Sequence, residues 1–77
     1  MTITPQEIAQ HYTNAGDSVT LINELVALSE RSDEQVDTVR RNVEHLEIMV
    51  AKDYWTTEDL APFNAAITAG TAVLPTE

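Results

Sequence analysis

Side chains able to do chemistry are few in this sequence, and they fall into pairs at helical spacing. Glu7 and His11 are four residues apart, as are His45 and Met49. Such a pair can supply half of a metal site on one helical face, but other helices would have to contribute the remaining ligands, and no residues nominate themselves. His11 therefore reads as a surface side chain paired with Glu7. His45, beside Glu44 and near Arg41, reads as a boundary residue. Ser18, Ser29 and Ser32 stand where helix caps and turns belong, without the glycine-framed elbow of a serine nucleophile. Only two glycines occur, Gly16 and Gly70, too far apart for a phosphate-binding loop. The expectation is no catalytic residue, no cofactor and no metal, and hence a protein that is not an enzyme.

The rings offer a second kind of chemistry. Tyr54, Trp55 and Phe63 can close one end of a core or form an aromatic patch that docks a partner, since Trp and Tyr are favoured at interface hot spots. Phe63 shares a helical face with Leu60 and Ile67, which favours the core. Trp55 sits at a junction and is the best single interface candidate of the three.

Positioning these groups falls to helices. Val36, Val39, Val43, Leu46 and Val50 recur at alternating steps of three and four, the seam of a helix that buries a narrow face against another. Ser32 with Gln35 forms a capping box ahead of it, and acids fill its first turns. Asp37 with Arg41 and Arg40 with Glu44 are spaced to pair along it. This helix is expected from Asp33 to Tyr54.

Upstream, Thr4-Pro5-Gln6-Glu7 is a helix start, with Ile8, Tyr12, Ala15, Val19, Ile22 and Val26 as its seam. One helix from Pro5 to Arg31 follows, with either a break or continuity at Gly16. Leu21, Leu25 and Leu28 widen its apolar surface beyond what one neighbour needs. Downstream, Thr56 or Thr57 can cap a third helix, expected from Glu58 to Ala69. Pro62 should start or bend it, and Gly70 should cap its end. Residues 71–77 read as an extended tail. The fold class is all-α: an antiparallel hairpin with a shorter third helix folded across one end, a small helical bundle in one domain over residues 1–77.

Composition limits what such a bundle can do. Seventy-seven residues bury only a small core, and with no cysteine there are no disulfides to support it. Self-association is the expected extra source of burial, through Val36, Val39, Val43, Leu46 and Val50 or through the apolar excess at Leu21 and Leu25, with Tyr54 and Trp55 as further contacts. Thirteen acidic residues against four basic ones, net −9, argue against nucleic acid or an anionic membrane as partner. The acids can instead cover a basic surface on another protein, as a small acidic inhibitor or regulator would. Their scatter along the chain favours an ordinary solvated surface.

Arg41-Asn42-Val43-Glu44-His45-Leu46-Glu47-Ile48-Met49, then Lys52-Asp53-Tyr54-Trp55-Thr56-Thr57-Glu58-Asp59-Leu60 and Ala65-Ala66-Ile67-Thr68-Ala69-Gly70, resemble small helical proteins of tailed bacteriophages, cyanophages among them. The resemblance spans the C-terminal half and carries no catalytic motif. It implies a virion-associated or accessory protein that packs against copies of itself or larger phage proteins. Its place would be the host cytoplasm at synthesis and then the virion.

Overall fold

The computed structural model describes residues 4–75. Three helices, α1 (Pro5–Val26), α2 (Asp33–Val50) and α3 (Thr57–Val73), form a bundle 42 × 21 × 19 Å in which each helix packs on the other two. No strand occurs among the described residues. The hairpin of α1 and α2 is antiparallel, as the spacing predicts. α3 departs from expectation. It runs the length of the hairpin instead of crossing one end: Phe63 meets Tyr12 at a ring separation of 5.8 Å, and Gly70, two turns on, lies against Ile22, Val39 and Val43. The topology is therefore up-down-up.

All three starts are built by local chemistry. The Thr4 hydroxyl accepts from the Glu7 N–H at 3.1 Å, with Pro5 at the first helical position. Ser32 with Gln35, and Thr56 with Asp59, form complete capping boxes. Each cap satisfies helix N–H groups that have no partner of their own, and is worth about 1 kcal/mol.

The ends of α1 and α2 are built by side chains of the loops that follow them. α1 stops at Val26, short of Arg31, and Arg31 folds back so that its guanidinium donates to the carbonyls of Leu25, Val26 and Leu28 at 3.1, 3.3 and 2.8 Å. α2 stops at Val50, short of Tyr54, and the Trp55 indole N–H donates to the Met49 carbonyl at 2.7 Å. Carbonyls left open by each helix end thus find donors in the loop that follows.

Gly16 makes no break. α1 is continuous through it with no positive φ. α3 begins at Thr57 and continues through Pro62. The proline lacks the N–H that would meet the Glu58 carbonyl, but both residues face solvent, where water can replace that bond. Gly70 is no cap either. It lies inside α3, which extends to Val73, so residues 71–73 of the expected tail are helical. Thr76 and Glu77 lie outside the described residues.

The core is Ala15, Ile22, Val39, Val43, Leu46, Met49, Trp55, Phe63 and Ala66. Val50 packs against it, half-buried, and Val36 is half-buried without joining it. The α2 seam is thus covered by α1 and α3 of the same chain: Val39 and Leu46 are fully enclosed and Val43 is 3% exposed. Within one chain, Val39, Val43 and Leu46 are therefore core side chains, and only Val36 and Val50 of the seam keep partial exposure. A third helix lying along the hairpin supplies the cover assigned above to another copy.

Candidate functional site

Each histidine makes one hydrogen bond between elements, and neither pairs with the acid beside it in sequence. His11 Nδ1 lies 2.6 Å from the Tyr54 hydroxyl, tying α1 to the loop before α3. His45 Nδ1 lies 2.8 Å from Ser18 Oγ, tying α2 to α1. Ser18 is the one buried polar residue of the described chain, and this bond satisfies it. Glu7, the expected partner of His11, instead accepts from the Thr4 hydroxyl at 3.3 Å. Neither histidine has further metal ligands around it, and no group of three His, Cys, Asp or Glu gathers among the described residues. No cavity opens among them either.

The rings collect at the end of the bundle where α1 and α3 begin and α2 finishes. Trp55 is its hub, 9% exposed, edge-on to Tyr54 at 4.7 Å and to Phe63 at 5.3 Å, with Tyr12 6.2 Å away. Edge-to-face pairs of this kind add roughly 0.5–1.5 kcal/mol beyond the area they bury. Trp55, the interface candidate at the junction, is therefore a core residue that also caps α2. Tyr54 is half-buried, with its hydroxyl committed to His11.

Burial pushes the Tyr54 phenol above its ordinary value of 10.0, and the neighbouring Asp53 carboxylate adds to the rise. Folding thus favours the neutral phenol. Where the unfolded chain ionises first it holds fewer protons, so stability is complete below pH 10 and falls as pH climbs beyond it. Urea midpoints measured at about pH 9 and about pH 11 should show this alkaline decline. Tyr54→Phe, which cannot ionise, should show a smaller one from a lower starting point.

The charged surface has little internal compensation. Arg31 is bound to backbone carbonyls, and Arg40 and Arg41 both rest on Asp37, at 3.3 and 2.9 Å. The spacing had offered Glu44 to Arg40, but Asp37 holds both cations. Most acids therefore face solvent without a cation beside them. Against this acidic background stand four large apolar side chains: Tyr12 at 46% exposure, Leu21 at 36%, Leu28 at 40% and Ile48 at 62%. The apolar excess noted around Leu21 and Leu25 is accordingly divided, with Leu25 packed on the core and Leu21 left outside.

No described helix is long and apolar enough to cross a membrane. No family model matches the chain, and no curated protein or solved structure matches it either.

Proposed function

We propose that this chain is a non-enzymatic structural or assembly component of a tailed-phage particle, acting by packing its helices against other proteins. The observation that carries this reading is the division of labour among its side chains. The histidines, the serine between helices and the rings hold the bundle together, while Leu21, Leu28 and Ile48 meet solvent. Exposed large apolar groups on a strongly charged scaffold are the groups from which protein contacts are built. The resemblance over Arg41 to Gly70 supplies the setting. Mass spectrometry of purified particles of the encoding phage tests it: stoichiometric recovery supports the reading, and absence from particles overturns it.

A second reading, an acidic inhibitor or regulator that covers a basic surface of a host protein, draws on the commitment of Arg31, Arg40 and Arg41 to partners within the chain, which leaves most acids uncompensated. Retention of a host nucleic-acid enzyme that collapses steeply with added salt would favour it. Retention indifferent to salt would count against it.

A further inference from the structure

Along the outside of α1, Asp17, Leu21, Glu24 and Leu28 follow one another at steps of four, three and four, and all four are exposed. Residues at this spacing form one line on a helix surface. Leu28 lies two residues past the end of α1, in a tight turn closed by the bond from its N–H to the Leu25 carbonyl at 3.2 Å. Leu21 and Leu28 are thus about 10 Å apart along the axis.

The Ser18–His45 hydrogen bond fixes where α2 lies beside this line. Leu21 is one turn beyond Ser18 on α1, and Ile48 is one turn beyond His45 on α2. Because the helices are antiparallel, the two side chains diverge from that bond in opposite directions, to roughly 9 Å apart along the bundle. Ile48, Leu21 and Leu28 therefore climb one flank at intervals of about two helical turns. A single helix laid along that flank would meet them with every seventh residue.

Charge decides what kind of helix this is. Asp17 and Glu24 flank Leu21, and α1 contains no lysine or arginine. Across the flank, Glu44 precedes Ile48 by one turn. The nearby cations are Arg31, whose guanidinium is spent on the Leu25, Val26 and Leu28 carbonyls, Arg41, already held on Asp37 at 2.9 Å, and Lys52, one turn past Ile48. A second copy of the chain would set Asp17 and Glu24 against acids of its own kind, between molecules each carrying −9.

We propose that the ridge of Asp17, Leu21, Glu24 and Leu28, continued by Ile48, docks an amphipathic helix of another protein that presents apolar residues at heptad intervals with lysine or arginine beside them. The docked helix completes a fourth corner of the bundle. Its apolar side chains cover the two leucines and Ile48, and its cations meet the carboxylates between them. This rests on the reading that the chain works through protein contacts, and it names the surface and the chemistry of the partner.

The test uses the full chain and a synthetic helical peptide of about three heptads, with leucine at every seventh position and lysines flanking each. A second peptide carries glutamate in place of every lysine. Fluorescence anisotropy should show the lysine peptide binding at low salt and weakening as salt rises, with the glutamate peptide at least about tenfold weaker. Leu21→Ser with Leu28→Ser should weaken binding by about tenfold or more; both side chains are partly covered, at 36% and 40% exposure, so the melting temperature should fall, and binding is read where circular dichroism shows the double variant as helical as the parent. The proposal is overturned if neither peptide binds, if both bind equally, or if the double variant binds as well as the parent. It is also overturned if sedimentation finds a dimer that the double variant dissociates, which assigns the ridge to a second copy. Failure here with the chain present in particles rejects the ridge alone; binding here with the chain absent from particles rejects the particle assignment alone.

Discussion

Val43→Asp should unfold the isolated chain, not separate copies of it. Val43 is 3% exposed, between Val39 and Leu46 on α2 and in contact range of Gly70 on α3. Removing the isopropyl group forfeits roughly 2 kcal/mol of burial. The new carboxyl must then enter the core as an anion, which costs several kcal/mol, or protonate. Protonating a group of intrinsic pKa about 3.9 at pH 7 costs about 4 kcal/mol. The sum is about 6 kcal/mol, more than the roughly 3–5 kcal/mol that a single core supplies in a chain of this size with no disulfide. Circular dichroism at pH 7 should show little helix. A carboxyl that is neutral in the fold has a raised folded pKa, so the lost stability returns below the unfolded pKa, and helix should recover in part near pH 4. Val43→Ala, without the charge, should lie between variant and parent. Persistence of full helix with a fall in sedimentation mass would show that the seam lies between copies.

This experiment marks where the sequence is legible and where it stops. The spacing of Val36 to Val50 identifies a buried face, because apolar periodicity reports burial. It cannot say whether the cover belongs to the same chain, and α3 provides it here. Helix starts were readable for a related reason: Ser32–Gln35 and Thr56–Asp59 are closed by residues three apart, so the information is local. Helix ends were not. α1 finishes where Arg31 can reach three carbonyls, and α2 where the Trp55 indole reaches Met49, contacts that exist only once the loops have folded. The same holds for His11. Its local partner Glu7 is four residues away, yet its hydrogen bond goes to Tyr54, forty-three residues on. Leu21, Leu28 and Ile48 could be seen in the sequence as apolar residues, but their lying outside the core depends on how α1 and α2 rotate about the Ser18–His45 bond.

Glycine to alanine should have opposite effects at the two glycines. At Gly16 a Cβ meets nothing within 4 Å, and φ is not positive, so alanine fits a helix interior without strain. Gly16→Ala should stabilise the chain by about 0.5–1 kcal/mol, the difference in helix propensity. Gly70 gains the same propensity term, but its Cβ would stand 2.6 Å from Val43 Cγ2, 3.2 Å from Ile22 Cγ2 and 3.3 Å from Val39 Cγ1. The neighbours cannot swing aside. All three are β-branched, and Val and Ile in a helix are held close to one χ1 rotamer. Relief must come from moving α3 off α1 and α2 together, an overpacking cost of roughly 1–3 kcal/mol. With the closest contact at 2.6 Å, repulsion exceeds propensity, so Gly70→Ala should lower stability, by up to about 2.5 kcal/mol net. Urea midpoints of the two variants should move in opposite directions. Val43→Ala removes the closest methyl, so Gly70→Ala should cost less in that background than in the parent, a coupling of at least about 0.5 kcal/mol in a double-mutant cycle. If Gly70→Ala stabilises the chain as Gly16→Ala does, α3 does not lie against α1 and α2 at this point. The cover of the Val39–Leu46 seam by the same chain then fails with it.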